Sequence, residues 1–511
     1  MLRKIKKLSA FNYQLSVIKD LFSCLLSALL LILPFNNGKL WILAWFGFVP
    51  LFFTLNNKSL RQAVFLFFIT GVFFWSGVIY WLVHVTLAGA IILILYLSLY
   101  FAVFGLVIRP FTRCSKPYVL LLIPSTWVLL EYLRAYLLTG FPWALLGYSQ
   151  YLNLTVIQVS DITGAYGVSF LVMMVNAAIV EIIFSARTRD QTRVKLISAL
   201  LLLFLLPVLG YGYFSLSKNT DRSAGQLMRI AVVQGNIPQE LKWVNIAQGA
   251  IINKYLYLTR GAVKNTPDLI IWPEAAVPYV LENTSSVFAL FEKIPAVLLF
   301  GAVTKKNNLY YNSALLYDKN SLLLGQYNKL HLVPYGEFIP FRGIFPFLEY
   351  IAPIGDIEKG KDLELFTLYS TYSLLSAKFS VLICFEDLFP ELSRKFIRKG
   401  AGFLVNITND AWYKRSSASE QHFQASVFRA VENRVFVVRS ANTGVSGFID
   451  PYGRFTVLDK FNEGYLTKNI NLSNQEMTFY TRYGDLFAGL CGIVVLLGTA
   501  TIFYRRRWNK K

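Results

Sequence analysis

Three short segments of the 511-residue chain carry residue types that could together perform acyl chemistry. Cys384 ends the apolar run Val381-Leu382-Ile383 and precedes Phe385-Glu386-Asp387 and a helix-compatible stretch from about Pro390. A strand-to-helix turn exposes a sulfur, and nearby backbone N–H groups stabilise a thiolate or a developing oxyanion. Alone, Cys384 reads more readily as a buried strand-end cysteine, because a free thiol packs well. Asp268-Leu269-Ile270-Ile271-Trp272-Pro273-Glu274 is an apolar strand ending in a carboxylate, and Tyr327-Asn328-Lys329-Leu330-His331 sets a lysine before an apolar turn. Alone, these read as a helix cap and a solvated charge. Together they supply a thiol, a base and a cation, the set that covalent acyl transfer uses.

The elements that must position these groups lie between residues 217 and 483. Short apolar or β-branched runs recur at Arg229–Gln234, Asp268–Trp272, Ala296–Val303, Asn312–Tyr317, Phe379–Cys384, Gly402–Thr408 and Val435–Arg439. Helix-compatible stretches separate several of them, at Asn245–Arg260, Pro390–Lys399 and Ser419–Arg434. Strands alternating with helices predict an α/β domain, and 267 residues suffice for one core. Of four cysteines only Cys384 falls in this segment, so no disulfide can form within it. His331 and His422 lack metal-ligand spacing, so no metal is expected, and without a GxxxxGK[ST] motif no nucleotide or other cofactor is expected.

The rest of the chain is a different material. Overall 55% of residues are hydrophobic and 15% charged, against roughly 25% charged in soluble domains. Apolar runs near 17–35, 40–55, 62–83, 87–108, 117–138, 159–185, 195–216 and 484–504 predict about eight membrane spans, the first two forming a hairpin at Asn36-Asn37-Gly38-Lys39. The net charge of +21 divides unevenly: 29 basic and 23 acidic residues in 217–483 give +6, and 21 basic and 6 acidic elsewhere give +15. A nucleic-acid partner is therefore not expected. Basic residues flank alternate ends of the spans, among them Arg3, Lys58, Arg109, Arg187 and Arg505, while the other ends offer only Lys39 and Arg134. By the positive-inside rule both termini are cytoplasmic and 217–483 lies outside. The expected domains are 1–216 with seven spans, 217–483, and 484–511 with the eighth span and a basic tail.

Glu274 in WPE, Lys329 in YNKLHLVPYGEF and Cys384 in LICFED resemble, in this order, the Glu–Lys–Cys triad of the nitrilase, or carbon–nitrogen hydrolase, superfamily. VVQGNIPQ at 232–239, NITNDAW at 406–412 and RSANTGVSGFIDPYGR at 439–454 extend the likeness over the outer domain. That resemblance implies an α-β-β-α sandwich. Its place between spans seven and eight, with TGFPWALLGYSQ at 139–150 and Lys242-Trp243, resembles the apolipoprotein N-acyltransferases of bacterial inner membranes. The fold expected is thus a polytopic α-helical membrane protein carrying an α/β nitrilase-like sandwich.

The family resemblance implies Glu274 as general base, Lys329 as oxyanion holder and Cys384 as acyl carrier. It implies a phospholipid donor, typically phosphatidylethanolamine, and the amine of an S-diacylglyceryl-cysteine on an apolipoprotein as acceptor. Glu337 and Glu386 match acidic positions around the triad; Trp243, Trp412 and Trp143 are candidates for lining the substrate path. Phe385 stands where the family often has tyrosine and is left out of the set. The apolar stretch 341–355 is a candidate lid at the bilayer interface. Two other readings remain: a membrane-tethered amidase or nitrilase transferring to water, and a ligand-binding transporter or receptor, which few ionisable residues within the spans disfavour.

Overall fold

The computed structural model describes residues 2–55, 58–111, 118–217, 226–282, 294–339, 357–370, 376–472 and 476–508. The chain forms two compact units, Met1–Phe214 with Asp485–Lys511, and Ser215–Gly484.

Six helices among the described residues are long and apolar enough to cross a bilayer: Gln14–Asn36, Leu60–Val78, Leu87–Ile108, Val119–Tyr136, Ala165–Arg187 and Gln191–Ser217. The two other apolar runs form shorter apolar helices, Gly38–Thr54 and Leu486–Thr501. The second run is broken rather than continuous. Gly38–Trp45 is a tight 3-10 segment whose start is capped by Asn37, and Val49–Thr54 is a separate short helix with Pro50 in its first turn. Asn176 bridges this break, accepting from Phe48 N at 2.8 Å and donating to Ala44 O at 2.9 Å. In hydrocarbon, a helix break survives only where its freed backbone groups find such partners.

Charge also enters this unit more deeply than the sequence suggests. Arg134, counted above at a span end, is buried in the helix Val119–Tyr136. Its Nη1 donates to the carbonyls of Phe141 and Trp143 at 2.8 and 2.7 Å. Glu131, one turn away, accepts from Leu146 N at 2.6 Å and from Trp127 Nε1 at 2.9 Å. The pair holds the 139–150 loop through its backbone groups, Arg134 by two carbonyls and Glu131 by the Leu146 N–H.

The second unit is built on two six-stranded sheets. The first runs β12-β1-β2-β3-β4-β5, with β1 Gln226–Gln234, β2 Leu269–Ile271, β3 Val297–Lys306, β4 Leu309–Tyr317, β5 Leu323–Asn328 and β12 Gly464–Leu472. The second runs β11-β10-β9-β8-β7-β6, with β6 Phe366–Tyr369, β7 Ser376–Ile383, β8 Phe403–Thr408, β9 Phe436–Ala441, β10 Gly447–Ile449 and β11 Phe455–Val457. The centre of each sheet is parallel: β1, β2 and β3 in one, β7, β8 and β9 in the other. Buried on both faces, such strands read as unbroken apolar runs, as Leu269–Ile271 does. The sheets face each other through β1 against β9 and β4 against β7. The helix Asn245–Val263 covers the first sheet and Ala418–Asn433, beside Pro390–Lys399, the second. This is the expected α-β-β-α order.

The facing layers are cross-tied by polar groups. Ser440 on β9 donates to the carbonyls of Val233 and Ile271 in the opposite sheet, at 3.0 and 3.1 Å. Such ties set how the sheets stack, and so where the strand ends meet.

Candidate active site

Glu274, Lys329 and Cys384 follow the carboxyl ends of β2, β5 and β7. Cys384 leaves β7 with φ +53° and opens a 3-10 turn, Cys384–Leu388, before the helix Pro390–Lys399. Left-handed backbone at a non-glycine residue costs about 1–3 kcal/mol and persists only where its surroundings hold it. Here Asn406 Nδ2 donates to the carbonyls of Leu382 and Cys384, both at 3.2 Å, and His422 Nε2 lies 3.2 Å from Cys384 O.

Glu274 is buried against β3. A Cβ at Gly301 would stand 2.6 Å from Glu274 Cα and 2.7 Å from Ala275 N, so the absent side chain is what lets the Glu274 backbone approach. Gly301 N donates to Pro273 O at 3.1 Å and Ala276 N to Gly301 O at 2.8 Å. The Glu274 carboxylate accepts from Asn312 Nδ2 at 2.7 Å and lies 3.6 Å from Lys329 Nζ. Lys329 is fully buried and rests on Glu337, with Nζ 2.9 Å from Oε2 and 3.0 Å from Oε1. Glu337 accepts in addition from Asn312 Nδ2 and Val333 N, each at 2.8 Å. Asn312 therefore joins the two carboxylates that flank the lysine.

The electrostatics separate the roles. Burial disfavours the Lys329 ammonium, but the negative charges of Glu337 and Glu274 and the nearby Cys384 outweigh it, so the lysine stays charged. Burial pushes the Cys384 thiol well above its ordinary value, Glu274 adds to this, and Lys329 only partly opposes it. A sulfur in this setting rests as a thiol and needs a base at the moment of attack.

Two buried networks fix the frame. Glu386 takes Ile383 N at 2.7 Å on one oxygen and Leu330 N and His331 N at 2.6 and 3.0 Å on the other, with Tyr327 Oη at 2.8 Å. One carboxylate thus links the residue before Cys384 to the residue after Lys329. Burial raises its carboxyl to about 7, against the pull of these donors. Behind the elbow, His422 lies between Asp387 (2.8 Å) and Asp410 (2.9 Å), and Arg439 reaches the same aspartates at 2.9 and 3.3 Å. Burial opposes the imidazolium, yet the aspartates win over the repulsion of Arg439, and His422 is raised to about 9.

The structure thus gathers Glu274, Lys329, Cys384, Glu337 and Glu386 in one place. Trp243 and Trp412 are about half exposed, and neither indole forms part of this cluster's hydrogen bonds. Trp143 belongs to the other unit, buried with its ring 4.9 Å from that of Trp81. The 341–355 stretch lies outside the described residues. Sequence reasoning left several residues without a role: Asn312, Lys242, Asp387, Asp410, His422 and Arg439. NITNDAW and RSANTG contain two of them, but nothing in either motif points to Cys384.

A thiol, a carboxylate and an ammonium at three strand ends of an α-β-β-α sandwich agree with the expectation drawn from the sequence resemblance to the carbon–nitrogen hydrolases. Residues 229–478 match the Carbon-nitrogen hydrolase family model, and residues 27–178 match that of the Apolipoprotein N-acyltransferase N-terminal domain. Over 514 aligned residues the chain is 38% identical to an apolipoprotein N-acyltransferase of Geobacter metallireducens, covering 96% of each. A Shewanella oneidensis apolipoprotein N-acyltransferase is 32% identical over 440 residues, 81% of this chain and 80% of that one. Among solved structures, a Saccharomyces cerevisiae member of branch 10 of the nitrilase superfamily aligns with 48% of this chain and 90% of its own, at 19% identity and a TM-score of 0.36. The chain belongs to the apolipoprotein N-acyltransferase family.

Proposed function

We propose that this membrane enzyme moves a fatty acyl chain from a phospholipid, with phosphatidylethanolamine as the expected donor, to the amino-terminal amine of S-diacylglyceryl-cysteine on apolipoproteins. The reading is carried by one observation: a buried thiol on a left-handed elbow lies within electrostatic reach of a carboxylate and a lysine 3.6 Å apart. Glu274 takes the thiol proton as Cys384 Sγ attacks the ester carbonyl, and Lys329 holds the oxyanion. Collapse expels the lysophospholipid alkoxide, which recovers the proton from Glu274, and leaves a thioester on Cys384. The acceptor amine, entering neutral, attacks the thioester; Glu274 takes its proton and returns it to the leaving sulfur. Ester and amine become alcohol and amide. Glu337 and Glu386 position the lysine and the elbow, and Trp243, Trp412 and Trp143 are proposed to contact substrate along its path.

The reading places the chain in a bacterial inner membrane with both termini cytoplasmic, residues 1–216 and 484–511 in or beside the bilayer and 217–483 on the periplasmic side. The uneven basic residues of the loops support that orientation. Intact-mass measurement of the purified protein after incubation with phospholipid tests it. An acyl adduct is expected on the wild type and not on Cys384→Ser, and it should pass to a diacylglyceryl-cysteine peptide. Release only as free fatty acid would establish transfer to water and refute the acyltransferase reading.

A further inference from the structure

The elbow at Cys384 is closed from behind by a charged cluster that the chemistry above does not use. The parallel ladder between β7 and β8 ends at the pair Ile383 and Ile407, so the main-chain carbonyl of Cys384 lies one residue beyond it. Side chains take that carbonyl instead: Asn406 Nδ2 and His422 Nε2, each at 3.2 Å. Both residues are fully buried. Arg439 Nη1 donates to Asn406 Oδ1 at 2.7 Å, which turns the amide nitrogen toward the elbow. The His422 ring is set by Asp410 at Nδ1, 2.9 Å away, and by Asp387 at Nε2, 2.8 Å away. Asp387 comes from the turn after β7, Asp410 from the turn after β8, and Arg439 stands on β9. The fit is close: a Cβ at Gly444 would lie 2.2 Å from Asp410 Oδ2.

The cluster suits a charged ring. Two carboxylates and one guanidinium sum to −1, and an imidazolium restores neutrality. A buried charge left unbalanced is costly. The imidazolium also brings the two N–H groups that this geometry uses, one for Asp410 and one shared by Asp387 and the Cys384 carbonyl. A neutral ring has a single N–H, so its bare nitrogen faces an acceptor oxygen in either tautomer.

We propose that His422 is a positioning residue for the nucleophile: with Asn406 it clamps the Cys384 carbonyl and so holds the left-handed elbow from which the sulfur acts. This role presupposes the reading of Cys384 as the nucleophile. At φ +53° a residue with a side chain stays only where its surroundings hold it, and the carbonyl is the handle by which these two donors do so. Once the clamp is lost, the peptide after Cys384 can turn, and the Cα–Cβ bond turns with it. Because the contact is to main chain, the effect falls on the rate of attack and not on lipid binding.

The test follows acyl-enzyme formation by the full-length protein in detergent, with phosphatidylethanolamine in mixed micelles as donor and intact mass as the readout. Thermal unfolding shows whether each protein is folded. At pH 7, His422→Gln is expected to lower the limiting rate about tenfold or more, with the half-saturating lipid concentration within about twofold of wild type. The difference is expected to shrink to within about threefold at pH 10, because the wild-type ring, raised to about 9, has by then lost its own proton. A folded Gln variant within about twofold of the wild-type rate at pH 7 overturns the proposal, as does a rate ratio that is the same at pH 7 and pH 10. Should the variant not fold, hydrogen exchange in the wild type decides. Corrected for intrinsic rates, protection of the 380–390 peptide is expected to fall about tenfold or more from pH 7.5 to 9.5 while that of β1 holds, and equal protection at both overturns the proposal. A wild type that forms no acyl adduct would refute the nucleophile reading instead, and the exchange measurement stands apart from that result.

Discussion

Glu386→Gln separates a site held by one carboxylate from one held by the fold at large. The Glu386 carboxylate is fully buried and accepts Ile383 N on one oxygen and Leu330 N and His331 N on the other, with Tyr327 Oη between them. An amide offers a single acceptor oxygen. Whichever way it is turned, its NH2 faces at least one backbone N–H, and that donor is left unpaired in a dry pocket. One such loss costs about 1–3 kcal/mol. Above pH 7, where this carboxyl raised to about 7 is ionised, the surviving bonds also weaken, since bonds to an ionised acceptor are roughly twice as strong as neutral ones. A total near 3–4 kcal/mol is expected, large beside the typical mutational cost of about 1 kcal/mol. Function should suffer beyond stability. Ile383 adjoins Cys384 and Leu330 adjoins Lys329, so slack at residue 386 moves sulfur and ammonium relative to each other. A displacement of about 1 Å costs on the order of 10²-fold in rate. The assay is the rate of acyl-enzyme formation by intact mass, beside the unfolding temperature in the same detergent. A Gln variant within twofold of wild type at an unchanged unfolding temperature would refute the reasoning.

Two further outcomes follow from the same geometry. In Gly301→Ala the new methyl meets backbone 2.6–2.8 Å away at Glu274, Ala275 and Pro273; it should cost about 1–3 kcal/mol and slow acylation about 10²-fold, and normal kinetics would show that Glu274 is not held there. For His422, raised from 6.5 to about 9, the charged form is favoured by folding. Its contribution of about 3 kcal/mol is complete below pH 6.5 and lost as pH rises through 9. Wild-type unfolding temperature should therefore fall across that window, with His422→Gln lower at pH 6.5 and flatter; parallel slopes would contradict the assignment.

Much of this protein is written locally. Leu269–Ile271 and Val381–Ile383 are buried on both faces, so their sequences are continuous apolar runs that mark parallel strands without any knowledge of their neighbours. The span helices are legible for the same reason, since hydrocarbon demands an apolar run of fixed length. Glu274 and Cys384 stand out because each follows such a run, while Lys329 is singled out by the resemblance of YNKLHLVPYGEF to the superfamily's motif. What the sequence leaves open is directional and non-local. Leu330 and Glu386 are 56 residues apart, and Ile237 and Asn442 are 205 apart, yet both pairs are hydrogen-bonded. That Lys242 turns inward, that Asn312 spans two carboxylates, that Arg134 is buried in a helix and that the second apolar run is broken between Trp45 and Val49, where Asn176 bridges it, are likewise decided only by packing. Hydrophobic periodicity records how much of a residue must leave water. It carries no information about which polar atom will be waiting there, because that depends on how two sheets, or two distant helices, are stacked against each other.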